Sequence, residues 1–260
     1  MFSDEYRVMC DVSEGKLGFL KNNMPGYLTA SVMAGFFIGF GILLAFSIGG
    51  YLEGAVYTKI IMGVSFGVAL SLVVMAGAEL FTGNNMVMMA GVIEGRVKVS
   101  QMVYLWIVCF IGNWIGAVIL SLIYSKTGLA AGNVAEFMIN SAVAKVSLAP
   151  AELFCRAVLC NMLVCLAVWC GFRCKSESGK LIMIVWCLFA FVTTGFEHSI
   201  ANMTLLTTAL LIQPETAVTI GGCLYNIFLA AAGNIVGGAV CVALPYYLIS
   251  KKGIKPKKEK

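Results

Sequence analysis

The only histidine of the chain, His198, stands beside Glu197 in the stretch Gly195-Phe196-Glu197-His198-Ser199-Ile200-Ala201-Asn202, inside an otherwise apolar run. Its unperturbed pKa, about 6.5, lies nearest neutrality of any side chain, so it can donate a hydrogen bond or hand over a proton. A hydrogen-bonded core histidine is the plainer alternative. An earlier stretch, Gly77-Ala78-Glu79-Leu80-Phe81-Thr82-Gly83-Asn84, repeats the pattern: Gly77, Glu79 and Asn84 hold the places of Gly195, Glu197 and Asn202, and Thr82 offers a hydroxyl. An ionisable residue in an apolar surrounding costs a few kcal/mol, so each needs a reason. Glu79 and Glu197 could handle protons, but a carboxylate at a helix break can also satisfy freed backbone amides, and the structural role is the preferred reading. Lys145 has two open readings, an ordinary loop lysine or a charge aimed into a pore.

Long apolar elements must position these groups. Ile60 to Gly91 and Leu181 to Ile212 are each 32 residues long, with Glu79 the only formal charge in the first and Glu197 in the second. An unbroken helix of that length measures about 48 Å, well beyond a hydrocarbon core of about 30 Å. Both are therefore expected to break at the polar insert. Two copies of a broken spanning helix, one in each half of a chain, point to a transport site at the middle of a membrane. A second repeat supports duplication: Gly112-Asn113-Trp114-Ile115-Gly116 is answered by Gly233-Asn234-Ile235-Val236-Gly237. Asn84, Asn202, Asn113 and Asn234 are accordingly read as structural residues of the breaks.

Composition sets the class. With 60% hydrophobic and 12% charged residues, the chain could not keep the surface of a soluble globule wet. It reads as an all-α integral membrane protein of six transmembrane helices, an inverted repeat of three plus three with the second and fifth helices broken. Residues 1–26 read as an amphipathic segment along the membrane surface, 27–249 as the six-span domain and 250–260 as a basic tail. Residues 1–25 mix acids and bases without an apolar core, so no cleavable signal peptide is expected.

Basic residues orient the spans. The N-terminal segment holds Arg7, Lys16 and Lys21, the second loop Arg96 and Lys98, the fourth loop Arg173, Lys175 and Lys180, and the tail six lysines. Only Lys59, Lys126, Lys145 and Arg156 fall on or toward the other side, which predicts cytoplasmic N- and C-termini in the cell membrane. The lysine-rich tail explains the net charge of +5 without a nucleic-acid partner. Cys155, Cys160, Cys165 and Cys170 recur every five residues, which spreads them around a helix, and one histidine cannot complete a usual zinc set, so neither metal nor cofactor is expected.

The two break motifs and the paired Gly-Asn-x-x-Gly repeats resemble the formate/nitrite transporter family over nearly the whole chain. Within it, a hydrosulfide-conducting subgroup is the nearest likeness. The resemblance implies an aquaporin-like fold, a homopentamer with one pore per protomer, and passage of a small monovalent anion: hydrosulfide first, formate or nitrite as alternatives. It also implies residue roles. Thr82 and His198 face each other in a central chamber, Leu70 with Leu80 form one constriction and Phe66 with Phe191 the other. Lys145 acts electrostatically on the histidine, and Asn161 and Val164 line the pore. A neutral-solute channel is the reading from another class, weakened by the lack of an Asn-Pro-Ala pair. An enzyme is not expected, because no second histidine, metal-ligand cluster or nucleophile and base pair accompanies Glu197 and His198.

Overall fold

The computed structural model describes residues 1–212 and 218–251. Most of the basic tail, read above from sequence, lies outside the described residues, as do residues 213–217. Among the described residues the regular structure is helical, with no strand. After α1 (Ser3–Asn22) and α2 (Met24–Tyr51), the second membrane element is α3 (Thr58–Ser65), α4 (Gly67–Leu72) and a π-helical turn, Val73–Gly77. Then come α5 (Phe81–Ile93), α6 (Val99–Ser125), α7 (Gly132–Val146), α8 (Pro150–Arg173), α9 (Glu177–Thr194) and α10 (Ser199–Ile212). The chain closes with α11 (Ile220–Ile235), a π segment (Val236–Ala243) and α12 (Leu244–Lys251).

Six of these elements are long and apolar enough to cross a membrane: Met24–Tyr51, Thr58–Gly77, Val99–Ser125, Pro150–Arg173, Glu177–Thr194 and Ile220–Lys251. The second and fifth stop at the polar inserts for the same local reason. Gly77 and Gly195 have φ of +82° and +80°, a left-handed conformation that favours glycine. The next amide reaches five residues back in both cases, Ala78 N to Val73 O and Phe196 N to Phe191 O, each 3.0 Å. Ala78 and Leu80 are extended, and a new short helix restarts at Phe81 in the first half and Ser199 in the second.

One asparagine closes each gap. Asn113 Oδ1 accepts the Phe81 amide at 3.0 Å while its Nδ2 donates to Ser31 O and Glu79 O, at 2.7 and 2.9 Å. Asn234 does the same in the second half: its Oδ1 accepts from Ser199 N at 2.9 Å, and its Nδ2 donates to Ala157 O and Glu197 O at 2.8 and 3.0 Å. The flanking glycines let the helices come close enough. A Cβ on Gly116 would stand 2.1 Å from Val32 O, and one on Gly237 2.3 Å from Val158 O. These matched contacts show that the two halves close their breaks with the same set of asparagine hydrogen bonds.

The N-terminal helix is part of this body rather than an appendage at its surface. α1 buries Tyr6, Met9, Cys10, Ser13, Leu17 and Leu20. The buried face takes in Leu17 and Leu20 and leaves Val8 half exposed. Arg96 in the loop after α5 pairs with Asp11 and Glu14, and Phe2 packs among Trp169 and Tyr246 under the Arg173 guanidinium. Between α6 and α8, the long connection is mostly the helix α7, which leans on α2 and α10.

Candidate functional site

Two cavities enter the molecule near opposite ends of α2 and α9. The first, about 590 Å³, is bounded by Lys16 and Phe19 of α1, Ala30 of α2, and Leu70, Glu79 and Leu80. The second, about 240 Å³, is bounded by Ile42 and Phe46 of α2, Phe66, Lys145, Phe191 and His198. Ala30 and Ile42 are separated by about 18 Å of helix, so the cavities approach one another from opposite sides. Leu70 and Leu80, both buried, face the first. The Phe66 and Phe191 rings, edge to face with centroids 5.6 Å apart, face the second.

Between them lies a polar contact. Thr82 Oγ1 and His198 Nε2 are 3.0 Å apart and buried. Thr82 sits in the first turn of α5 and His198 immediately precedes α10, so each break aims one polar side chain at the same point. Phe191 lies nearly parallel to the imidazole, with centroids 5.9 Å apart, and fixes its plane. The sequence-predicted central pair is thus together, with apolar residues on each side of it.

The carboxylates at the breaks hold cations and asparagines, and the freed backbone amides go to Asn113 and Asn234 instead. Glu197 accepts from Lys145 Nζ at 2.7 Å and from Asn202 Nδ2 at 2.6 Å. Glu79 accepts from Lys16 Nζ at 2.7 and 2.8 Å and from Asn84 Nδ2 at 2.9 Å. A charged pair with further hydrogen bonds is the form in which ions are tolerated away from water. Lys145 therefore reaches the vestibule from α7 and ends on Glu197, beside His198. Lys59 and Arg156 bound the same cavity, Arg156 paired with Glu152 on its own helix, so three cations face it, two of them paired with carboxylates.

Asn161 and Val164 are both buried on α8 and line neither of these two cavities. Asn161 Nδ2 lies within hydrogen-bond distance of Thr82 O, Asn85 Oδ1 and Asn234 O, at 3.2, 3.1 and 2.6 Å, and so ties the first break to the second half. Cys165 Sγ adds a weak contact to Thr82 O at 3.5 Å. Sequence reasoning overlooked Lys16, the counterpart of Lys145. A usable signal was present: Lys16 lies on the stripe of Ser13, Leu17 and Leu20, where an unpartnered lysine would be out of place. Asn226 was also overlooked; it accepts from Asn202 and donates to Lys145 O.

The family model described as "Formate/nitrite transporter" matches residues 6–248. A nitrite transporter, NirC, of Escherichia coli is 37% identical over 262 residues, covering 100% of this chain and 97% of that protein. A formate channel, FocA, of Haemophilus influenzae is 31% identical over 207 residues, 72% of each chain. Among solved structures, one described as an FNT family ion channel superposes with a TM-score of 0.91 at 34% identity, covering 95% of this chain and 99% of the other. Another, a pentameric formate channel with formate bound, gives a TM-score of 0.79 at 27% identity over 88% and 98%.

Proposed function

The chain belongs to the formate/nitrite transporter family, and from that premise we propose that it carries small monovalent weak-acid anions through a pore running from the Lys16 vestibule past Thr82 and His198 to the Lys145 vestibule. It is a multi-pass membrane channel protein and not an enzyme. Nitrite and formate are the substrates this reading favours, because they are named for similar proteins. Hydrosulfide, suggested by the subgroup likeness, has comparable size and charge and belongs in the same test.

The observation that carries the reading is the buried Thr82–His198 contact at 3.0 Å between two cavities that approach it from opposite sides. Positive charge in a low-dielectric vestibule raises the local concentration of an anion. A bare anion then meets Leu70 and Leu80 on one side and Phe66 and Phe191 on the other, where desolvation is costly. Hydrogen-bond donors at the centre offset part of that cost. Weak acids have the further advantage that their neutral forms cross apolar rings readily.

Three wider readings go with this one. The halves are inverted, because three spans per half reverse the direction of the second. The assembly is a homopentamer in lipid, as in the pentameric formate channel. Both termini are cytoplasmic, because most of the basic residues fall on that side.

Reconstitution into liposomes, with flux of nitrite, formate, hydrosulfide, chloride and glycerol measured side by side, tests the function. Nitrite and formate are expected to pass far faster than chloride, a strong-acid anion. Glycerol flux equal to that of nitrite would return the chain to a neutral-solute channel.

A further inference from the structure

We infer that His198 is held as a neutral imidazole protonated on Nε2 and acts through Thr82, so that the hydroxyl hydrogen of Thr82, not a proton of the ring, is what a passing anion meets. The second half of this statement rests on the channel reading; the first does not.

Hydrogen-bond direction decides the tautomer. His198 occupies the position before α10, where first-turn amides lack intrahelical acceptors. Ala201 N donates to His198 Nδ1 at 3.1 Å, the bond that an asparagine or serine makes at this position in other helices. An N–H cannot donate to a nitrogen that carries its own hydrogen, so Nδ1 presents its lone pair. A neutral ring must then carry its hydrogen on Nε2, which is the atom facing Thr82 Oγ1. The ring therefore donates and the hydroxyl accepts. One hydroxyl hydrogen is left, and among the described residues His198 is the only side chain hydrogen-bonded to Thr82 Oγ1.

A relay through the ring needs both nitrogens: one gives a proton to the anion while the other takes one up. Here the second nitrogen is engaged by the helix, and the stacked Phe191 ring opposes a flip that would exchange the two. An imidazolium would also add a cation to a vestibule that already holds Lys145, paired with Glu197, together with Lys59 and Arg156. His198 is on this account a positioning residue, and Thr82 the residue in contact with the anion. Substrates are selected as acceptors of one neutral O–H donor, which suits nitrite and formate oxygens.

Because His198 is the only histidine, a chain purified on a tag without histidine and labelled with ¹⁵N-histidine gives ring signals from one residue. Solid-state NMR in lipid vesicles is expected to show Nε2 protonated and Nδ1 bare, unchanged from about pH 5 to pH 8, the range over which an ordinary imidazole titrates. A ring protonated on Nδ1, or an imidazolium appearing in that range, overturns the inference whatever the flux measurements give. The flux arm uses folded, assembled variants. Thr82→Val is expected to slow nitrite flux by about ten-fold, as for one lost hydrogen bond at a desolvated site, and Thr82→Ser to restore most of it. Glutamine can reach Thr82 but gives up the Ala201 contact, whereas asparagine keeps that contact and falls short of Thr82. His198→Gln is therefore expected to conduct faster than His198→Asn, both with the parent's shape of pH profile. A His198→Gln channel slower than His198→Asn overturns positioning through Thr82, and a pH profile altered in both variants restores the relay. Absence of flux in the parent chain would defeat the channel reading and leave the NMR result standing.

Discussion

Lys16 Nζ lies 2.7 and 2.8 Å from the two carboxylate oxygens of Glu79, and the contact repeats the one between Lys145 and Glu197 at 2.7 Å in the other half. Each lysine comes from a helix outside the six spans, α1 or α7, and each carboxylate lies two residues after the glycine that ends a broken helix. In this contact α1 stands to the first break as α7 stands to the second.

Removing Lys16 tests how firmly α1 is bound. Lys16→Met leaves Glu79 with Asn84 as its remaining charge-stabilising donor, and is expected to lower stability by about 2 kcal/mol, typical of a lost hydrogen bond to a charged group. Glu79→Gln in the same chain should recover part of that loss, since the uncompensated charge is gone. Thermal unfolding of the purified single and double variants reads the difference. Equal melting temperatures for Lys16→Met and the parent would show that the pair contributes nothing to holding α1.

Lys145 is no more buried than Lys16, both side chains being 19% exposed, but its partner is, since the Glu197 side chain is only 3% exposed where that of Glu79 is 12% exposed. Lys145→Met is accordingly expected to cost more than Lys16→Met, about 3 kcal/mol, because it leaves a buried charge unpaired. Lys145→Met with Glu197→Gln should regain stability without regaining anion flux, which separates support of the fold from attraction of the anion. Full flux in the double variant, measured in liposomes, would make Lys145 a purely structural residue.

Much of this architecture can be read from the chain. Apolar runs of 32 residues cannot cross a membrane as single straight helices, and the glycine, glutamate and asparagine spacing marks where both must stop. What could not be read is who satisfies the open backbone. Asn113 is 32 residues from Phe81, and Asn234 is 35 from Ser199, so no periodicity links them. The adjacent carboxylates, Glu79 and Glu197, are instead engaged by lysines 63 and 52 residues away. The repeat also fails where the pore needs it to fail: Leu80 and His198 hold equivalent places, as do Thr82 and Ile200. Local pattern reveals the frame of the site, while the asymmetry that gives it chemistry depends on how the two halves meet.

The Gly-Asn-x-x-Gly motifs make a prediction about close approach. A methyl group on Gly116 would overlap Val32 O, a backbone atom that cannot move aside alone, and would push α6 from α2. Asn113 would then lose its reach to Ser31 O and Glu79 O. Gly116→Ala should therefore destabilise by about 2 kcal/mol, in the range for overpacking, although alanine is the better helix former. Gly15→Ala on α1, where a Cβ would meet nothing within 4 Å, is the control and should be neutral or slightly stabilising. Fluorescence-detected size exclusion after heating compares the two. A Gly116→Ala protein as stable as the control would mean that the helices can separate without loosening the break.

The Phe66–Phe191 constriction gives the sharpest test of where selection occurs. Phe191 stacks on His198, so its replacement would disturb the imidazole as well as the aperture. Phe66 touches the other ring edge to face and is not stacked on the imidazole, which makes it the residue to change. Truncation to alanine would cost about 3 kcal/mol in a packed core, so Phe66→Leu, which keeps most of the volume while removing the flat ring, is preferred. A slightly wider opening should admit a weak acid one methyl group larger than formate. The acetate-to-formate flux ratio is expected to rise by about ten-fold, the usual worth of one methylene in an apolar pocket. Formate flux itself should change less, because the hydrogen bonds at Thr82 are untouched. Leu80→Ala acts on the opposite side and should raise the same ratio independently if both constrictions limit passage. A ratio that moves with Leu80→Ala and stays fixed with Phe66→Leu would place the narrow point on the Lys16 side and leave the aromatic pair as packing around the histidine.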